Sequence, residues 1–296
     1  MNLRTSVLVI GVAAITAAGV TIGLGRLAHG ESGGVAARES AYQRVLRTGV
    51  IRCGYVIYPP GMQRDANTGK LSGVFVDAMN TAASNMGLRA EWTEEVGWGS
   101  MIEGLRANRY DMICSPVWAN STRGKLADFS VPLFYSGIGA YVRSDDHRFD
   151  ADLTRLNAQA VTIATVDGEM SSIIAHQDFG KAHLDSFPQL ADVSQLLLEV
   201  TSKKADVTFV EPFIADLFLK THPGTLRNLA ADHPLRIFPN TMMFGKDEPA
   251  LRSMMDTALL ELINAGAVDK FLRQYAPSAG AFYPLAFPYR RGTSDQ

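Results

Sequence analysis

The sequence lacks the patterns that mark metal sites, disulfide scaffolds, nucleic-acid binding and catalytic nucleophiles. Its 296 residues include only two cysteines, and there is no Cys-x-x-Cys or His-x-x-x-His spacing. The net charge is −2, and no basic stripe is present that would attract a nucleic acid. No Gly-x-Ser-x-Gly motif indicates an activated serine. We therefore expect no metal, no cofactor and no nucleic-acid partner.

Acidic residues are absent from residues 1–30, and an uncharged apolar run separates Arg4 from Arg26. This pattern is typical of an export signal, which the small residues Ala28 and Gly30 would allow to be cleaved after Gly30. The run is also about long enough to span a bilayer, so an uncleaved N-terminal anchor is the alternative. Both interpretations place the remaining chain in the periplasm or another extracytoplasmic space.

The two cysteines, Cys53 and Cys114, lie in the middle of predicted strands that would be neighbours in a parallel sheet. In an oxidising compartment they could pair. Direct cross-links between adjacent strands are geometrically awkward, however. The sequence therefore favours two buried thiols over a disulfide.

Strand and helix patterns alternate along the chain, as expected for an α/β fold with largely parallel sheets. Hydrophobic residues make up 47% of the chain, which is enough to bury a substantial core. The first half predicts strands at 49–56, 88–96 and 110–117, with helices at 74–87 and 100–109 between them. The order returns with strands at 160–166 and 205–211, and with helical patterns at 167–177, 192–204 and 249–276. Similar helix–turn–strand segments in the two parts predict two similar lobes.

These segments together resemble family 3 of the extracellular solute-binding proteins, the polar amino-acid type that serves ABC importers. The resemblance extends over nearly all of the chain after residue 45 and depends on the order of "VLRTGVIRCGY", "TGKLSGVFVDAMNTAASNMG", "GWGSMIEGLRANRYDMICS", "TRGKLADFSVPLFYSG", "KKADVTFVE" and "FGKDEPALRSMMDTALLELINAGAVDKFL". It implies a two-lobed periplasmic-binding-protein-like fold of type II, in which each lobe is a mostly parallel sheet flanked by helices.

The resemblance also implies a domain organisation with two hinge crossings, near 141–143 and 238–243. Lobe 1 would comprise residues 45–141 and 241–290, and lobe 2 would comprise residues 142–240. An aromatic and proline-rich tail occupies 277–296. The implied partners are a small zwitterionic or cationic ligand and an ABC permease in the membrane, and the expected state is a monomer.

Arg123 occupies the position at which this family binds the α-carboxylate of its ligand. A guanidinium can hold both carboxylate oxygens, although a surface ion pair with Asp128 is the alternative role. Glu211 stands where the family usually has an aspartate that binds the ligand amine. Glu169 and Met170 replace hydroxyl residues, and the alternative role of Glu169 is charge complementarity at a helix N-terminus.

The other predicted ligand-binding residues are Tyr58, Trp98, Ser115 and Trp118. Tyr58 and Trp98 match positions that usually line the family's pocket, with core packing as the alternative. Trp118 departs from the family, which usually has a small hydroxyl residue there, and Pro116 cannot donate a backbone hydrogen bond. Aromatic faces and carboxylates attract cations, so the expected ligand has a carboxylate and a positive amine.

Three functions remain open at the level of sequence. The first is a binding protein that captures an amino acid or a related amine-bearing carboxylate by cleft closure and delivers it to an ABC importer. The second is an enzyme of the same fold, similar to cyclohexadienyl dehydratases, in which a cleft carboxylate acts as an acid. The third is a membrane-anchored sensory module. We predict the first function, with no catalysis.

Overall fold

The computed structural model describes residues 39–150, 152–276 and 282–285. The predicted signal or anchor, residues 1–30, lies outside the described residues, as does most of the tail. The strands are β1 (Val50–Tyr55), β2 (Gln63–Arg64), β3 (Leu71–Ser72), β4 (Arg89–Glu95), β5 (Met112–Trp118), β6 (Ala127–Phe129), β7 (Phe134–Gly137), β8 (Gly139–Arg143), β9 (Thr162–Val166), β10 (His183–Phe187), β11 (Val207–Val210), β12 (Leu226–Asn228) and β13 (Ile237–Gly245).

Helices connect most of these strands, as the apolar periodicity predicts. They are α1 (Ala41–Thr48), α2 (Val74–Asn85), α3 (Met101–Arg106), α4 (Ser121–Gly124), α5 (Met170–Asp178), α6 (Ser194–Thr201), α7 (Pro212–Thr221), α8 (Pro249–Asn264) and α9 (Ala267–Tyr275), with a short 3-10 helix at Leu153–Leu156. Among the described residues, no helix has the length and apolar character needed to cross a membrane.

A six-stranded sheet, here called the first sheet, has the order β4-β1-β5-β13-β6, and β7 also pairs with β13. Strand β1 is parallel to β4 and β5, whereas β13 is antiparallel to β5, β6 and β7. The second sheet has the order β10-β9-β11-β8-β12. Its first three strands are parallel, and β8 is antiparallel to β11 and β12. Both sheets are therefore mixed, and the expectation of mostly parallel sheets is wrong, because β13 pairs with three antiparallel neighbours and β8 with two.

The chain passes from the first sheet to the second at Ile138, between β7 and β8, and returns between β12 and β13. The first passage lies three residues before the lobe boundary predicted at residue 141. The second boundary, at 240–241, falls inside β13, which pairs entirely within the first sheet. The division into two lobes stays a prediction.

Cys53 and Cys114 form a disulfide, so the expectation of two free thiols is wrong. Strand β1 lies directly beside β5, with Cys53 opposite Met112. Cys114, two residues farther along β5, then has its Cα 5.4 Å from that of Cys53. This separation lies within the range that a disulfide spans. Both residues are fully buried, so the link joins the two strands inside the core.

Residues 282–285 of the C-terminal tail pack against β7. The backbone amides of Tyr135 and Tyr283 each donate to the other's carbonyl oxygen, at 2.8 Å. Phe282 is buried, and its ring lies 4.7 Å from that of Phe134 and 5.2 Å from that of Phe213, measured between centroids. Because Phe134 belongs to β7 and Phe213 to α7, this side chain links a strand of the first sheet to a helix that follows a strand of the second.

Candidate functional site

The predicted site residues follow strand ends in both sheets. Tyr58 and Trp98 come shortly after β1 and β4, and Trp118 ends β5. Glu169 and Glu211 come shortly after β9 and β11. The carboxyl ends of strands in an open α/β sheet are where ligands usually bind. The fold brings these ends together around a small cavity lined by Tyr58, Trp98, Pro116, Trp118, Arg123, Glu169 and Met170.

Arg123 is buried in the cavity wall and contacts the backbone on both sides of it. Helix α4 presents it, since the Asn120 side chain caps this helix and accepts from the Arg123 amide at 2.9 Å. The guanidinium donates to the carbonyl oxygen of Trp118 at 3.3 Å and to that of Gly168 at 2.8 Å. Burial lowers the pKa of Arg123 to about 10, and the nearby charge of Glu169 opposes that shift. Asp128, the alternative partner, pairs instead with Lys246 at 2.6 Å.

Glu211 is fully buried at the start of α7. Its carboxylate accepts a hydrogen bond from the Tyr58 hydroxyl and a long one, at 3.5 Å, from the Ser136 hydroxyl. Burial raises the pKa of Glu211 to about 8, and the charge of Glu169 raises it further, while the Tyr58 hydrogen bond acts in the opposite direction. This carboxyl can therefore hold a proton near neutral pH.

Glu169 caps the N-terminus of α5, where its carboxylate accepts from the Ser171 amide at 2.7 Å. The role at a helix N-terminus is therefore confirmed. Glu169 also lines the cavity, and its contact with a ligand stays a prediction. Burial raises the pKa of Glu169, while its hydrogen bonds to Ser171 and the charge of Arg123 act in the opposite direction. The cavity wall thus contains one guanidinium and one of the two buried carboxyl groups.

Three aromatic rings form one side of the site. Tyr58 lies edge-on to Trp98 and to Trp118, with centroids 5.5 Å and 6.2 Å apart. Trp118 also stacks on Phe238 at 4.9 Å, and its indole N–H donates to Asn240 Oδ1 at 3.0 Å. Packing and hydrogen bonding hold each of these rings in a defined position.

Ser115 is not among the residues that line the cavity. Its hydroxyl accepts a hydrogen bond from the Val56 amide at 3.0 Å, which links the middle of β5 to the residue that follows β1. A direct contact between Ser115 and a ligand stays a prediction. The position of this residue explains how the turn that carries Tyr58 is held beside Trp118.

Sequence reasoning missed the polar residues that support Trp118 and Glu211. Asn240 accepts from Trp118 and donates through its Nδ2 to the Ser136 hydroxyl at 2.9 Å, and Ser136 then donates to Glu211. These residues come from β7 and β13, which the sequence pattern did not predict. Single polar residues in apolar strands were the available signal, and only the sheet register shows that they meet.

The cavity is small, and the bulky side chains of Trp118 and Met170 are among those that line it. Its volume is about 10 Å³, the space of roughly one water molecule. A groove of about 740 Å³ adjoins it and shares Tyr58 and Trp98 as lining residues. Charged groups, aromatic rings and an adjoining groove are suited to holding a small charged molecule. Nothing among the described side chains forms a metal-binding cluster of three or more histidine, cysteine or acidic residues.

Comparisons with known proteins agree with this architecture. The chain is 25% identical over 206 residues to a protein of Haemophilus influenzae named probable amino-acid ABC transporter-binding protein, covering 69% of this chain and 75% of that protein. It is 26% identical over 209 residues to the cyclohexadienyl dehydratase of Pseudomonas aeruginosa, covering 70% and 74%.

Among solved structures, an ancestral amino acid-binding protein that is a precursor of cyclohexadienyl dehydratase matches with a TM-score of 0.69 and 22% identity. The match covers 80% of this chain and 99% of that protein, and it confirms the predicted fold class. The family model of the bacterial extracellular solute-binding proteins, family 3, matches residues 51–278. The chain therefore belongs to family 3 of the bacterial extracellular solute-binding proteins.

Proposed function

We propose that this protein captures a cationic amino acid, or a related amine-bearing carboxylate, and delivers it to an ABC importer. The observation that carries the proposal is the charge around the closed site. The cavity wall contains one guanidinium, Arg123, and the buried carboxyl group of Glu169, beside three aromatic rings. A second buried carboxyl group, Glu211, is hydrogen-bonded to one of these rings, Tyr58. With both carboxyl groups ionised, the site has one negative charge in excess. A ligand with one carboxylate and two cationic groups complements it.

Capture occurs by closure of two lobes, with the two sheets as their cores. Arg123 and the three rings belong to the lobe of the first sheet, comprising residues 45–141 and 241–290. Glu169, Met170 and Glu211 belong to the other lobe, residues 142–240. The ligand carboxylate binds Arg123 in place of a backbone contact, and its α-ammonium binds near Glu211. Because these groups come from opposite lobes, the ligand stabilises the closed state over the open one.

The second cationic group of the ligand lies near Glu169 and the rings of Trp98 and Trp118. Guanidinium and ammonium groups are attracted to aromatic faces, most strongly to tryptophan. A closed cleft excludes water, which strengthens both the ionic and the cation–π contacts. The name of the Haemophilus influenzae relative, a probable amino-acid ABC transporter-binding protein, supports an amino acid as the ligand.

The proposal is tested by measuring ligand-induced changes in melting temperature and then affinity by calorimetry. The test set is L-arginine and L-lysine against L-glutamine and L-glutamate, which differ in side-chain charge. A ligand that binds the native state raises the melting temperature by mass action. We expect the two cationic amino acids to bind most tightly. Tighter binding of L-glutamate would contradict the proposal.

A dehydratase function is the second candidate, because Glu211 is a buried carboxyl that can hold a proton and the Pseudomonas aeruginosa relative is a cyclohexadienyl dehydratase. Such an enzyme would use Glu211 as a general acid. Incubation with prephenate or arogenate, followed by mass spectrometry, separates the two functions. Loss of water and carbon dioxide in the presence of wild-type protein, but not of Glu211→Gln, would favour the enzyme.

The place of action follows from the family and from residues 1–30. We propose that these residues export the chain to the periplasm or another extracytoplasmic space, either as a cleaved signal or as an anchor, and that the protein works as a monomer. The mass of the protein purified from its membrane and soluble fractions decides between the two. Loss of about thirty residues indicates cleavage, and an intact chain in the membrane fraction indicates an anchor.

A further inference from the structure

The segment Gly97, Trp98 and Gly99, which follows β4, lies against a side chain from the other sheet. The Gly99 amide donates a hydrogen bond to Oε1 of Gln189 at 3.0 Å. Gln189 lies between β10 of the second sheet and helix α6. This contact therefore joins a loop of the first sheet to a loop of the second.

Gly97 and Gly99, on either side of Trp98, have no side chains, and Gln189 can therefore approach this segment closely. A Cβ on Gly97 would lie 2.7 Å from Oε1 and 3.0 Å from Cβ of Gln189, and one on Gly99 would lie 2.8 Å from its Nε2. A side chain at either position would therefore require Gln189 to move. Neither glycine has a positive φ, so the close approach of Gln189, and not an unusual backbone angle, is what a substitution there would disturb.

Gly168 also lies against this segment, close to the backbone of Trp98 and Gly99. Its φ of +74° favours glycine, and a Cβ there would lie 3.1 Å from the Gly99 nitrogen and 3.3 Å from the Trp98 Cβ. The carbonyl oxygen of Gly168 is also the acceptor for Arg123. The segment at Trp98 is thus held by Gln189 and by Gly168, and both come from the side of the second sheet.

Trp98 lies where the small cavity and the larger groove adjoin. It lines both of them, and Gln189 lines the groove. Trp98 is buried, and its ring contacts Tyr58, which is hydrogen-bonded to Glu211. A group that fixes the Trp98 segment therefore fixes one wall of the proposed binding site.

We propose that Gln189 is a positioning residue that locks the Trp98 segment when the cleft closes on its ligand. This inference rests on the proposed function, because it needs the two sheets to separate and to approach. The Gly99–Gln189 hydrogen bond can form only in the closed state, so it stabilises that state selectively. Its loss should shorten the lifetime of the complex without slowing the first encounter with the ligand.

The test compares Gln189→Ala with Gln189→Glu, which keeps an acceptor oxygen and a similar size. Gln195→Ala is the matched control, because Gln195 is exposed and lines the same groove. With L-arginine as the probe, stopped-flow tryptophan fluorescence measures the rates. We expect Gln189→Ala to raise the dissociation rate about 3- to 10-fold, the scale of one hydrogen bond. The association rate should stay within about twofold. Rates in Gln189→Glu should remain near wild type.

An equal dissociation rate in Gln189→Ala and Gln195→Ala would overturn the inference. So would a lower association rate with an unchanged dissociation rate, which would indicate a role in the open state. A fall in melting temperature shared by Gln189→Ala and Gln189→Glu would indicate a merely structural role.

A cross-linking experiment tests the same contact without any ligand, because a disulfide traps the closed state each time the free protein visits it. In a Gly97→Cys/Gln189→Cys variant the two Cβ positions lie 3.0 Å apart, so a separation of the two loops by about 0.5–1 Å would bring them to the distance that a disulfide spans. We expect this pair to form a disulfide under mild oxidant faster than Gly97→Cys/Gln195→Cys, as read by mass spectrometry. Equal rates would overturn the proposed contact. In a further outcome, the wild-type protein fails to bind L-arginine while the Gly97→Cys/Gln189→Cys variant still forms its disulfide. That result would contradict the proposal of a cationic ligand and would support the proposed contact between Gln189 and the Trp98 segment.

Discussion

The Arg123 guanidinium donates a hydrogen bond to the Gly168 carbonyl oxygen, 2.8 Å away. Arg123 belongs to helix α4 beside the first sheet, and Gly168 follows strand β9 of the second. One side chain therefore contacts both sides of the proposed cleft. A ligand carboxylate that replaces this carbonyl would give the guanidinium a charged acceptor in place of a neutral one. The guanidinium would then be hydrogen-bonded both before and after the ligand binds.

Replacement of Arg123 should weaken binding much more than it weakens the fold. We expect Arg123→Ala to lower the affinity for L-arginine by about 1.5–3 kcal/mol, the scale of a hydrogen bond to a charged group. Arg123→Lys keeps the charge but loses the planar pair of donors, and its loss should be intermediate. Calorimetry gives the affinity. Lys125→Ala removes an exposed cation just beyond the same helix and should bind normally; equal losses in both alanine variants would contradict the specific role.

The affinity for a cationic amino acid should fall as the pH falls below about 8. Free Glu211 has a pKa near 8 and so holds a proton at pH 7, whereas a bound ammonium favours its carboxylate. Binding then releases a proton, and affinity falls by at most about tenfold per pH unit below that pKa. The titratable groups around Glu211 are Tyr58, Glu169 and Tyr141.

Calorimetry in two buffers of different ionisation enthalpy measures the proton release directly. Glu211→Gln keeps the shape and cannot ionise, so its affinity should be weaker at pH 8 and nearly constant between pH 6 and 8. A wild-type affinity that is flat over this range, or a Glu211→Gln variant with an equally steep slope, would rule out Glu211 as the source.

Trp118 should contribute to stability as well as to the shape of the site. Trp118→Ala removes the stack on Phe238 and the hydrogen bond to Asn240, and we expect it to lower the free energy of unfolding by about 3–5 kcal/mol. Trp118→Phe keeps a smaller ring and loses the hydrogen bond and part of the stack, at a cost of about 1–3 kcal/mol. Urea unfolding measures both. A smaller loss in the alanine variant than in the phenylalanine variant would show that the stack contributes little.

The Cys53–Cys114 disulfide should be a major source of stability. It closes a loop with a sequence separation of 61 residues. The chain-entropy model gives about 4 kcal/mol for a loop of this length. We expect the free energy of unfolding of a Cys53→Ala/Cys114→Ala variant to be lower by about that amount, so that the variant unfolds at a lower urea concentration. Wild type unfolded with strong reductant should match the variant, and a difference of under 1 kcal/mol from oxidised wild type would contradict the estimate.

The order of the five predicted strands and of the helices between them could be predicted from the sequence, because apolar spacing and helix-breaking glycines are local signals. Gly266 ends α8 and begins α9 with a φ of 74°, as the break in the pattern indicates. The sheet pairing could not be predicted in the same way. Strand β13 pairs with three strands far away in sequence, and no local pattern specifies such a register.

The same limit explains what was found and missed in the site. Arg123, Glu169 and the three aromatic residues line one cavity, because each lies at or shortly after the carboxyl end of a strand. That they bind a ligand stays a prediction. The supporting residues Ser136 and Asn240 were missed, since their meeting depends on the pairing of β7 with β13. The disulfide was wrongly dismissed for a related reason. Its feasibility depends on a Cα separation of 5.4 Å, which only the strand register sets.

The position of Phe282 affects how the protein should be divided for experiments. The family match ends at residue 278, so a shortened protein designed from that match would lack this side chain. Its ring fills the space between Phe134 and Phe213, and its removal would leave an apolar surface exposed where β7 meets α7. Such a fragment would be prone to self-association, and any affinity tag is better placed after the tail than in place of it.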